Sequence, residues 1–88
     1  MELQMGQIVS SRAGRDVGRF YMVTGLCGDR VLLANGGKWT LAVPKPKNIR
    51  HVNPTKTLLP PEQRSTDVAL RAVLEAFAKE CKGPSKGG

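Results

Sequence analysis

Turn-forming residues recur about every eight to ten positions along residues 7–53, and the runs between them are short. Gly14 and Gly18, Gly28-Asp29, Asn35-Gly36-Gly37 and Pro44 mark the breaks. Residues 7–13, 19–26, 30–34, 38–43 and 48–52 lie between them and predict five short strands. Phe20-Tyr21-Met22-Val23-Thr24 is aromatic, apolar or β-branched throughout, the mark of a strand covered on both faces. In the first run, Val9 and Ala13 share one face and Ile8 takes the other. Asn35-Gly36 suits the two positive-φ positions of a type I′ hairpin. Pro44 cannot donate to a ladder and so ends the fourth strand. Lys45-Pro46-Lys47 then reads as an exposed, extended connector. Such punctuation predicts a mainly β fold, a small barrel or sandwich.

Asn53-Pro54 closes this region, giving a β-domain over residues 1–55. Residues 56–64, with Leu58-Leu59-Pro60-Pro61, read as a proline-stiffened linker. Residues 65–82 form one amphipathic C-terminal helix, and residues 83–88 a flexible tail. Ser65 or Thr66 supplies the helix cap, and Asp67 suits the positive N-terminal end. Leu70, Val73, Leu74, Phe77 and Cys81 make one apolar stripe. Arg71, Glu75 and Lys79 line the opposite side as i,i+4 pairs. A lone helix of ~16 residues is marginal in water. The stripe therefore needs a cover, and the β-domain is the expected one. A partner protein, or self-association of this chain through the helix, is the alternative.

At 88 residues with four aromatic side chains, the core is small and leaves little space for a deep substrate pocket. The formal net charge is +7, and such a field attracts polyanions. It is unevenly placed. Residues 1–56 hold nine Lys and Arg against three Asp and Glu, while residues 57–88 hold five against four. The excess thus belongs to the β-domain and not to a basic tail. Cys27 and Cys81 are too few for a disulfide framework and read as reduced, buried thiols. No apolar run reaches the ~18 residues of a membrane span, and the N-terminal residues lack a secretion signal. The expected location is cytoplasmic, with no membrane partner.

The loop Ser11-Arg12-Ala13-Gly14-Arg15-Asp16-Val17-Gly18-Arg19 concentrates these features. Its glycines permit a sharp strand-to-strand turn, Asp16 reads as a local turn-former, and Arg12, Arg15 and Arg19 point to polyanion binding. Gly14-Arg15-Asp16-Val17-Gly18-Arg19, between Ile8-Val9 and Val23, resembles the KOW motif. The likeness extends through Val31-Leu32-Leu33-Ala34-Asn35-Gly36 and Pro44 to Val52, covering roughly residues 4–53. In that region the chain is similar to small bacterial KOW RNA-binding proteins. Those in turn resemble a KOW family of archaeal and eukaryotic large-subunit ribosomal proteins. The resemblance implies an SH3-like five-stranded barrel that binds RNA. Many KOW motifs carry a further glycine after the second basic residue, where this chain has Phe20-Tyr21.

Catalytic chemistry finds little support. His51 is the single histidine, the acidic residues are scattered, and no cofactor or metal motif is present. Gly14-x-x-x-Gly18 lacks the Gly-Lys-Ser/Thr ending of a phosphate-binding loop that would hold ATP. The basic positions carry the expectation instead: Arg12, Arg15, Arg19, Lys38, Lys45, Lys47, Arg50 and His51, with Trp39 either buried or stacking an unpaired base. Gly14, Asp16 and Gly18 form the loop. Charge alone does not separate RNA from DNA; with what the resemblance implies, the reading is a non-enzymatic RNA-binding module whose partner is structured or ribosomal RNA. Its rival is a protein-interaction module that contacts a ribosome, translation or transcription partner through the helix or a barrel edge.

Overall fold

A computed structural model describes residues 3–87, with side chains described as far as residue 80. Five antiparallel strands, β1 (Gln7–Ser11), β2 (Phe20–Cys27), β3 (Arg30–Ala34), β4 (Lys45–Asn48) and β5 (Val52–Leu58), precede one helix, α1 (Asp67–Gly87). The sheet order is β4-β3-β2-β1-β5. It is open, with β4 and β5 as its edges, and is consistent with an SH3-like fold whose barrel does not close. Register shifts between Gln7 and Val9 and between Val23 and Gly25 interrupt the ladders, and such irregularities bend and twist strands.

The central strands are covered on both sides, as their unbroken apolar runs require. Val9, Tyr21, Val23, Val31, Leu33 and Val52 gather on one face with Leu3, and Trp39 and Ile49 pack against them. Ile8, Met22 and Ala34 take the other face, where Leu59 and the helix residues Leu70 and Leu74 cover them. Adjacent residues of one strand therefore serve separate cores, which is the two-residue period of a strand at work. Phe20 and Phe77 meet edge-on, with centroids 5.1 Å apart. The helix stripe is thus buried against the sheet. Cys81, expected to extend it, and the tail expected over residues 83–88 lie outside the described side chains.

The second half of the sheet departs from the sequence reading. Residues 38–43 form no strand, whereas the expected connector Lys45-Pro46-Lys47 lies in β4. The reason is competition for residues 38–43. The Leu41 amide donates to Asp67 Oδ1 at 2.8 Å and its side chain packs beneath α1, so this segment is tied to the helix. Pro46 is tolerated because β4 is an edge. The same holds for Pro54: the closing strand runs over Val52–Leu58, not residues 48–52, and Ile49–His51 is a single 3-10 turn. Proline and lysine on both edges also discourage pairing with another chain.

The Asn35-Gly36 turn is not type I′, since among the described residues only glycines have positive φ and Asn35 does not. Asn35 Oδ1 instead accepts the amides of Gly37 and Trp39. Gly36, at φ +79°, lies so close to α1 that a Cβ there would collide with the Asp67 carbonyl and stand 2.8 Å from the Arg71 nitrogen. At the helix start, Thr66 Oγ1 accepts the Ala69 amide at 3.1 Å, so Thr66 is the cap. Cys27 is exposed, not buried, because it ends β2 at the hairpin beyond the covered part of the sheet.

Chemical denaturation checks the docking of α1. Leu70→Ala should cost about 3 kcal/mol, within the range for a fully buried leucine. Val68→Ala, at a residue 81% exposed, should stay within about 0.5 kcal/mol. Gly36→Ala combines left-handed backbone with overpacking and should cost about 2–4 kcal/mol.

Candidate nucleic-acid interface

The loop joining β1 to β2 is pinned at its base. The Ser11 amide donates to Arg19 O, and the Gly18 amide donates to Ser11 O, both at 2.9 Å. Gly14 and Gly18 take φ of +87° and +88°. A Cβ on Gly18 would meet nothing within 4 Å, so backbone conformation and not space requires glycine there. Arg15, Val17 and Arg19 stand exposed on this turn.

Asp16 points the other way. Its carboxylate accepts Ser11 Oγ at 2.7 Å, Tyr21 OH at 2.8 Å and Lys45 Nζ at 2.9 Å. Lys47 Nζ lies 3.4 Å away and also donates to Ala13 O at 3.2 Å. Asp16 is therefore more than a local turn-former. It fastens the loop to β2 and to the edge strand β4 through side chains. Burial pushes its carboxyl upward, but hydrogen bonds from Lys45, Ser11 and Tyr21 and the charge on Lys47 outweigh this, holding it well below the usual carboxylate range. Burial, the hydrogen bond to Asp16 and the carboxylate's charge push the Tyr21 phenol up, against a smaller pull from Arg19. Tyr21 thus remains a donor at neutral pH.

Around this centre the fold gathers most of the residues that the sequence singles out. Arg15, Arg19, Lys38, Trp39, Lys45 and Lys47 line one open depression with Gly14, Asp16 and Tyr21. Five cations there face one carboxylate. Trp39 is half-buried against the first core, with Lys38 Nζ 5.6 Å and Lys45 Nζ 5.5 Å from its ring, so burial and cation contact coexist. Lys45 and Lys47 share a face because they are two apart on a strand. That spacing is the one sequence signal for their convergence.

Arg12, Arg50 and His51 do not line the depression. All three are exposed, and the Arg12 amide donates to His51 O at 2.9 Å. They form a neighbouring group at the meeting of the loop with the start of β5. Among the described residues, no cluster of three or more His, Cys, Asp or Glu could hold a metal ion. No described helix is long and apolar enough to cross a membrane.

Removing the Asp16 charge should expose what it holds. Asp16→Ala leaves Lys47, whose side chain is 11% exposed, without its anion and should cost about 3 kcal/mol. Because the folded-state value is depressed, this stabilisation is complete above the ordinary value of 3.8. It is lost as pH falls through that value and below. Denaturation measured from pH 6 to pH 2 should show a loss in the parent chain that is markedly smaller in Asp16→Asn.

No family model matches the chain. It is 32% identical over 75 residues to the large ribosomal subunit protein eL14 of Desulfurococcus amylolyticus, a match covering 83% of this chain and 78% of that protein. The relative is thus archaeal, where the sequence likeness also pointed to small bacterial proteins. By that identity and coverage, the chain belongs to the family of the large ribosomal subunit protein eL14.

Proposed function

We propose that this protein is a non-enzymatic RNA-binding component of the ribosome, and that its large-subunit RNA partner is held through the depression beside the Gly14–Gly18 turn. The observation that carries this reading is the convergence of Arg15, Arg19, Lys38, Lys45 and Lys47 on one surface that contains a single carboxylate. Phosphate contacts of this kind provide affinity with little sequence information. Asp16 neutralises one charge but leaves a net excess, and it keeps Lys45 and Lys47 in place before RNA arrives. Ordered cations lose less conformational entropy on binding than free ones.

The two lysines and two arginines have separate roles. Lys45 and Lys47 are half-buried or nearly buried, and set the shape and potential of the floor. Arg15 and Arg19 are exposed and unencumbered by a described ion pair, so their planar forks are free to grip phosphate. Arg12 and Arg50 add two exposed cations outside the depression. Family membership supports the ribosomal setting and a structural role. A partner-binding role for the helix stripe loses its basis, because Leu70 and Leu74 are buried against the sheet.

A filter-binding titration on purified large-subunit ribosomal RNA, repeated at several salt concentrations, tests the proposal. Replacing Arg15 and Arg19 together by Ala should weaken binding and reduce the log–log salt slope by about one unit for each phosphate no longer neutralised. Unchanged affinity and slope would overturn it.

A further inference from the structure

A second concavity of about 600 Å³ adjoins the cationic depression, between the ends of two loops and α1. Arg19 and Lys38 line both. Its character is different. Phe20, Leu74 and Ala78 give it apolar surface, and Arg71 and Glu75 line it as well. The Phe20 ring is steadied by the edge-on contact with Phe77 at an interplanar angle of 81°. Arg71 Nε donates to Glu75 Oε2 at 3.3 Å, and both side chains are about two thirds exposed, at 64% and 66%.

The geometry points to this groove as the receptor for one unpaired base of the bound RNA, with the adjoining phosphates on Arg19 and Lys38. The inference rests on the RNA-binding reading and names the nucleotide feature that the same surface selects. A strand whose phosphates follow the depression reaches the groove at the two shared cations. The apolar surface of Phe20, Leu74 and Ala78 suits a base face, and the Arg71–Glu75 pair suits a base edge. Glu75 can accept from an exocyclic amino group, and the remaining guanidinium donors of Arg71 can reach a carbonyl or ring nitrogen. A phosphate is disfavoured beside Glu75.

Trp39 is the weaker platform. Lys38 and Lys45 lie near its ring and the indole packs on the core, so a stacking base has to displace an ordered cation. Helical RNA presents its bases edge-on within a stack and cannot fill the groove, whereas a bulged nucleotide can leave the stack. The site therefore discriminates a bulge from a continuous duplex without reading an extended sequence.

Fluorescence anisotropy with two end-labelled RNA hairpins tests this, one fully paired and one carrying a single-nucleotide bulge in the same stem. The intact chain should bind the bulged hairpin about tenfold more tightly, within the range for one accommodated base. Ala78→Leu, which fills the groove and leaves the depression untouched, should abolish the preference while keeping affinity and salt slope for the paired hairpin. Equal affinity of the intact chain for both hairpins would overturn the groove assignment and leave the phosphate-binding surface standing. Failure to bind either would overturn both. A 2-aminopurine placed at the bulge gives a readout that needs no variant. Its emission should change at least twofold on binding, against little change at a paired position; no difference between the two would count against the groove.

Discussion

The carboxylate of Asp16 is the point on which the candidate surface turns. Around it meet a serine from β1, a tyrosine from β2 and two lysines from β4, although β4 pairs with neither of the other two strands. Without that anion, Lys45 and Lys47 would repel each other and Arg15 and Arg19 at close range. A cationic surface on a domain this small is self-destabilising. One partly buried anion offsets the repulsion at its densest point and still leaves the field positive. The same interaction closes the loop onto the sheet, so fold stability and surface potential have a common origin.

The helix has a comparable double duty. Its stripe covers the second face of the sheet, which a small open sheet could not leave exposed. Asp67, in its first turn, draws the Leu41 amide away from any ladder. That pulls residues 38–43 toward α1 and leaves Lys38 and Trp39 beside the depression. Gly36 allows the approach because it lacks the Cβ that would strike the helix backbone. The position of two candidate RNA contacts thus depends on a residue of the C-terminal helix.

Much of the strand content is legible in order but not in placement. Runs 7–13, 19–26 and 30–34 stand out because apolar and β-branched residues carry their own pattern. The swap between residues 38–43 and 45–48 does not, since Thr40-Leu41-Ala42-Val43 looks more like a strand than Lys45-Pro46-Lys47-Asn48. Local propensity loses to two tertiary facts: Asp67 claims the first segment, and a sheet edge accepts proline in the second. Cys27 departs from expectation for a related reason, because residue type says what prefers burial but not where a strand outruns its cover.

The sequence by itself determined the mainly β class with a C-terminal helix, the amphipathic stripe, the concentration of charge in residues 1–56 and the glycine turn with its KOW likeness. Each is a property of neighbouring residues or of periodicity, so one dimension suffices to state it. Only the tertiary structure decided which cations stand together, that Asp16 faces inward to two of them, and that Arg12, Arg50 and His51 stand apart. Those outcomes depend on distances of a few ångströms between residues about 30 positions apart. Such distances are set by strand register and by competition for hydrogen bonds, which no local pattern encodes.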